Sequence, residues 1–151
     1  AVTATLLACE IAAYAKQNGS SFYEELLAIY VRNNFYKEHL ISITKKGMDG
    51  AAEIQKMLSD MRHNPLTEID GEKVVSLSDY QASKSKNLST GAETSINLPK
   101  SNVLIYQTEN GTRIAARPSG TEPKIKFYFS VNAPLDTKEN ATQIEADLDA
   151  K

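Results

Sequence analysis

Residues 103–131 read V-L-I-Y-Q-T-E-N-G-T-R-I-A-A-R-P-S-G-T-E-P-K-I-K-F-Y-F-S-V. At the far end Ile125, Phe127, Phe129 and Val131 alternate with Lys126, Tyr128 and Ser130, the period of two that marks a strand with one buried face. Lys126 is thereby presented away from the core. Residues 103–107 and 112–116 flank Asn110-Gly111, two residues that tolerate positive φ and give a strong hairpin signal. Upstream, residues 73–80 form a further expected strand, introduced by the turn Asp70-Gly71. Between these strands, residues 81–97 are mostly Ser, Thr, Asn and Lys, longer than an ordinary connection, and are expected to be a mobile loop or a lid, mobility being the preferred reading.

Helical patterns surround this β region. Residues 1–17 carry Leu7, Ile11 and Tyr14 at helical spacing and close on Asn18-Gly19. Ser21 and Glu24 have the spacing of a capping box, so a second helix is expected to Asn33, burying Phe22, Leu26, Ile29 and Tyr30. Residues 35–44 have β character around Ile41 and Ile43. Met48 to Arg62 reads as a third helix with Ala51, Ile54, Leu58 and Met61 on one face, and residues 137–151 as a fourth with Ala141, Ile144 and Leu148. The fold class expected is α+β: an antiparallel sheet of about four strands with helices packed on it, preceded by two helices belonging to a preceding domain or linker. The boundaries drawn are 1–34 for that preceding part and 35–151 for the remaining domain. The chain opens without Met inside a helical pattern and stops without a C-cap, so both ends are expected to be cut from something longer.

Composition sets outer limits. A chain of 151 residues, 41% hydrophobic and 24% charged, fits one globular domain and excludes a disordered or collagen-like chain. Seventeen basic against nineteen acidic side chains leave a net charge of -2, which opposes a general nucleic-acid or anionic-membrane binder. No apolar run approaches the roughly 20 residues of a membrane span. Cys9 is expected to be a small buried apolar residue, and with only His39 and His63 beside it no structural zinc site is expected.

The chemistry concentrates in residues 117–126, R-P-S-G-T-E-P-K-I-K. Arg117 can fork two hydrogen bonds to neighbouring oxygens of a phosphate, and Ser119 and Thr121 each add a hydroxyl donor. Gly120 allows close backbone approach and successive exposed amides. Pro118 and Pro123 restrict the loop before ligand arrives. Between residues 112 and 128, Arg113, Arg117, Lys124 and Lys126 outnumber Glu122 to give +3, leaving -5 for the rest of a chain whose total is -2. Glu122 could orient Arg117 or Lys124 and is expected to point away from an anion. The same residues also suit an ordinary surface turn, and composition alone leaves the two readings open.

The loop 117–126 resembles the phosphate-binding loop in the C-terminal domain of the α-D-phosphohexomutases. I-S-I-T-K-K-G at 41–47 with the helix that follows through Pro65, and A-V-T-A-T-L-L-A-C-E-I-A-A-Y at 1–14, resemble the phosphoglucomutase/phosphomannomutase branch. The resemblance implies a fold like that of the TATA-binding protein and a role for Arg117, Ser119, Gly120, Thr121 and Lys126 in gripping the phosphate that is not being transferred, with Pro118, Glu122 and Lys124 in support. Lys126 stands where relatives often carry arginine and would act as a point charge.

The resemblance also implies a hexose phosphate substrate, isomerised between 1- and 6-phosphates through a bisphosphate of the glucose 1,6-bisphosphate type. It implies the remaining domains of a parent enzyme, Mg2+ held by a domain outside this chain, and a cytoplasmic location, with no nucleic-acid or membrane partner. Phosphoglucosamine mutase and phosphopentomutase are alternatives within the superfamily, and a non-enzymatic sugar-phosphate module is the alternative outside it. No catalytic residue and no metal ligand is expected here. The family's nucleophile motif ends in Ser-His-Asn-Pro, but Arg62 precedes His63-Asn64-Pro65, a helix stop with cations near the negative end of the dipole. Asp49-Gly50 lacks the companions of a magnesium loop. The chain alone is therefore expected to be inactive, and the helix at 22–33 to sit at a hinge between domains.

Overall fold

The computed structural model describes residues 1–47 and 49–150. By packing, the chain divides into two units, Ala1–Lys37 with Asn132–Lys151, and Glu38–Val131.

In the first unit, α1 (Val2–Gln17) ends where Gly19 takes φ 70°; Gly19 N donates to Lys16 O and Ser20 N to Ala15 O, which satisfies two terminal carbonyls. Helix α2 (Phe22–Asn33) starts on the expected capping box: Ser21 Oγ accepts from Glu24 N at 3.2 Å and Ser21 N donates to Glu24 Oε2 at 3.1 Å. The expected buried faces are corrected. Leu27 is the buried side chain of α2 and Leu26 and Tyr30 are half-buried, while Phe22 and Ile29 are exposed, as is Cys9 on α1; Leu7, Ile11 and Tyr14, placed by helical spacing, are exposed too. Helical periodicity marks a face that could be covered, and within this unit nothing covers these side chains. The last expected helix is a 3-10 turn (Lys138–Asn140) followed by α3 (Ala141–Asp149). Lys37 Nζ lies 3.1 Å from Glu145 Oε1 and 2.6 Å from Asp149 Oδ2, and the Asp149 contact leads in holding the lysine above its ordinary pKa.

The second unit is built on a sheet. Strand β1 (Phe35–Thr44) enters it and is followed by α4 (Gly50–His63), β2 (Glu68–Ile69), β3 (Glu72–Asp79), β4 (Lys84–Asn87), β5 (Glu93–Ser95), β6 (Leu104–Thr108), β7 (Arg113–Pro118) and β8 (Lys124–Ala133). The order is β1-β8-β7-β6-β3-β4-β5, with β2 paired to β3, and the pairings from β2 to β8 are antiparallel. The α+β class stands, with more strands than the four expected. The polar stretch 81–97 accounts for much of the difference. It forms β4 and β5, whose turn is closed by Gly91 N donating to Asn87 O and by Ser89 and Thr90 amides donating to Asn87 Oδ1 at 2.9 Å. Ladder bonds need no apolar side chains, so composition does not register such an edge hairpin.

Two turns are worth separating. Asp70 and Gly71 both take positive φ, 49° and 73°, the two-residue turn that matches strand twist. At the β6–β7 hairpin only Gly111 does, at 89°; Thr108 N donates to Thr112 O, so the loop has three residues, Glu109 to Gly111. Gly50 answers a different need: a Cβ there would land on the Lys45 carbonyl oxygen.

The core lies on one sheet face. Ile54 and Leu58 of α4 meet Val74, Leu77, Leu104, Tyr106, Ala116 and Ile125, with Phe127 packed at the margin. Val74 and Leu77 share this face although three apart, because the register against β6 slips between Val74 and Ser76. Tyr106 is fully buried and its hydroxyl donates to Met61 O at 2.7 Å, tying the end of α4 to the sheet. Burial holds its pKa above 10.0, against smaller opposing effects of the Leu66 backbone and Arg62. Neutral Tyr106 therefore contributes stability that is complete below the ordinary tyrosine pKa and is lost as pH rises through about 10 and beyond, where the unfolded chain releases the proton first. A titration of the phenolate absorbance is expected to show one of the seven tyrosines ionising after the rest, together with falling thermal stability; Tyr106→Phe is expected to remove that late step.

Candidate functional site

Strands β7 and β8 place the site. Their register pairs Arg113 with Ser130, Ala115 with Tyr128 and Arg117 with Lys126, all on the sheet face opposite the core, since Ile114, Ala116 and Ile125 are buried. Arg117 and Lys126 stand directly across the ladder, and like charges so placed repel each other. Between the strands, Ser119 N donates to Lys124 O at 2.7 Å and Lys124 N to Glu122 O at 2.8 Å, closing a short loop. Ser119 Oγ accepts from Thr121 N at 3.4 Å and from Glu122 N at 3.3 Å. Two amides that could form an anion nest are thus turned inward, on bonds long enough to be weak.

A concavity of about 280 Å3 results, lined by Arg117, Pro118, Ser119, Gly120, Glu122, Lys124, Lys126 and Tyr128. Of the residues expected to grip or support a phosphate, Thr121 lies outside this lining and is exposed; Pro123 and Arg113 lie outside it too. Glu122 is among the lining residues, and its backbone amide donates to Ser119 Oγ. Lys45, Arg62 and Lys84 each have a carboxylate partner, whereas among the described residues no salt bridge engages Arg117, Lys124 or Lys126. Three cations against the one carboxylate of Glu122 leave this lining with a net positive charge, which favours an anion.

The loop has a second side. There Gln55, Ser101, Asn102 and Val103 face Arg117, Pro118, Ser119 and Gly120 across a concavity of about 560 Å3. Arg62 organises its wall: Nε donates to Asp79 Oδ2 at 3.0 Å and Nη2 to Asn102 Oδ1. His63 Nδ1 donates to Ser59 O at 2.8 Å. The Arg62-His63-Asn64-Pro65 stretch is thus a structural helix end. Gln55, Ser101 and Asn102 carry no motif, and sequence reading passed over them together with Tyr128.

Residues 45–151 match the family model described as phosphoglucomutase/phosphomannomutase, C-terminal domain. The chain belongs to that family. Among phosphoglucomutase relatives, that of Staphylococcus saprophyticus is 34% identical over 134 residues, 89% of this chain and 23% of the relative. The enzyme of Staphylococcus aureus strain USA300 is 38% identical over 134 residues, 89% of this chain and 24% of its own. That of strain MRSA252 is 37% identical over 146 residues, 97% and 26%. The chain thus spans about a quarter of the length of the curated relatives it matches. Within this C-terminal domain of the phosphoglucomutase/phosphomannomutase family, no cluster of three or more His, Cys, Asp or Glu side chains that could hold a metal ion is found among the described residues. No helix among them is long and apolar enough to cross a membrane.

Proposed function

We propose that the loop between β7 and β8 anchors the phosphate of a hexose phosphate, as one wall of a phosphoglucomutase or phosphomannomutase cleft completed by other domains in the cytoplasm. The observation that carries this reading is the group Arg117, Lys124 and Lys126 around a concavity open to solvent, none of them in a salt bridge among the described residues. Arg117 forks two charge-assisted hydrogen bonds to the phosphate, Lys126 and Lys124 add point charges, Ser119 Oγ donates its proton, and Gly120 lets the oxygens come close to the backbone. Thr121 joins by its hydroxyl. The dianion also relieves the repulsion between Arg117 and Lys126. Such an anchor orients the sugar for phosphoryl transfer and does no bond-making itself, as a reaction governed by positioning and electrostatics requires. The nucleophile, Mg2+ and a glucose 1,6-bisphosphate-type intermediate belong to other parts of that enzyme, so the isolated chain is inactive.

Two measurements test this. Methyl phosphate added to the chain is expected to move the backbone amide resonances of Ser119, Gly120 and Thr121 saturably, while a coupled assay detects no interconversion of glucose 1- and 6-phosphates. Unmoved loop amides would remove the anchor, and turnover by the pure chain would remove the claim that chemistry lies elsewhere.

A further inference from the structure

Two concavities adjoin the anion site. One, of about 160 Å3, meets it at Tyr128 alone and is walled by Glu38 and Arg113, charges of both signs. The other, of about 560 Å3, shares Arg117, Pro118, Ser119 and Gly120 with it and adds uncharged polar groups, Gln55, Ser101 and Asn102. The two spaces therefore meet along these four loop residues.

We infer that Gln55, Ser101 and Asn102 form a subsite for the hydroxyl groups of the phosphorylated sugar, so that this domain reads the sugar as well as holding its phosphate. The inference rests on the anchoring role proposed above. A sugar hydroxyl both donates and accepts, and a carboxamide offers two donors and an acceptor in one plane, so a carboxamide can meet a polyol's hydroxyls in either sense. Asn102 is oriented in advance. Its Oδ1 is occupied by Arg62 Nη2, Arg62 is held by Asp79, and its Nδ2 is left facing Gln55 Oε1 at 3.4 Å. A bond of that length is readily exchanged for one to a hydroxyl, and the fixed side chain loses little freedom on binding. Gln55 is free to serve because Ile54 and Leu58 supply the core contacts of α4. Gln55 and Ser101 are exposed.

The test is calorimetric titration of the chain with methyl phosphate and with glucose 6-phosphate at about pH 8, where phosphate monoesters are dianions. Glucose 6-phosphate is expected to bind about tenfold more tightly, the worth of two modest hydrogen bonds. The double variant Gln55→Ala, Ser101→Ala changes only exposed side chains; it is expected to bring the two affinities within about twofold of each other and to leave methyl phosphate binding unchanged. Equal affinities in the unaltered chain would overturn the subsite and leave the anchor standing. So would a preference that survives the double variant, which would place hydroxyl recognition elsewhere. If neither ligand binds, both the anchor and the subsite fall.

Discussion

Replacing Arg117 with alanine is expected to weaken methyl phosphate binding about thirtyfold, about 2 kcal/mol, while leaving the thermal midpoint of the chain unchanged or slightly raised. The two halves of this result have one origin. Arg117 is exposed, forms no salt bridge among the described residues and stands opposite Lys126 across the β7–β8 ladder. In the free protein it contributes repulsion, and its truncation removes that. With a dianion present it supplies two charge-assisted hydrogen bonds that no neighbour replaces, since Lys126 cannot reproduce a planar fork. In a full-length relative carrying the same loop, a comparable or larger loss is expected in kcat/KM. Calorimetry and a thermal melt on the same variant check both halves. Unchanged affinity would show that the loop does not hold phosphate, and a melt lowered by several degrees would show that Arg117 is structural.

Leu58→Ala is expected to destabilise the second unit by about 3 kcal/mol, read as a lower urea midpoint with an unchanged slope. Leu58 is fully buried between α4 and the sheet among Val74, Leu77, Tyr106 and Ile125. Truncation removes its transfer energy and leaves a cavity that strands pinned by ladder bonds cannot collapse to fill. Leu58→Met, which conserves volume, is expected to cost less than about 1.5 kcal/mol. Below the midpoint the alanine variant is expected to keep its phosphate affinity, because Leu58 does not line the concavity at the loop. A loss under about 1 kcal/mol would contradict a core centred on this helix.

Where side chains carried the information, sequence reading reached the fold. The alternation from Ile125 to Val131 identified β8 and placed Lys126 on the face away from the core, and Ser21 with Glu24 marked the start of α2. Where the backbone carried it, reading failed. Strands β4 and β5 are polar and held by ladder bonds, and the slip in β3 puts Val74 and Leu77 on one face against simple alternation. The loop was legible as a group of residue types suited to an anion, but not the inward turn of the Thr121 and Glu122 amides, which depends on the rotamer of Ser119. The Arg62 fork to Asp79 and Asn102 joins residues far apart in the chain, and no spacing rule connects them.

The Ser119 hydroxyl acting as acceptor has a consequence for selectivity. A loop whose amides are already occupied sets a threshold that a newcomer must exceed. Water or an uncharged sugar offers the Thr121 and Glu122 amides nothing stronger than the oxygen they already hold, so the loop stays closed on itself. On the anchoring role proposed above, a doubly charged oxyanion would outcompete that oxygen, taking the two amides and a hydrogen bond from the Ser119 hydroxyl in the same exchange. A loop of that kind would discriminate by charge before shape is consulted, a useful property in a solution crowded with unphosphorylated carbohydrate.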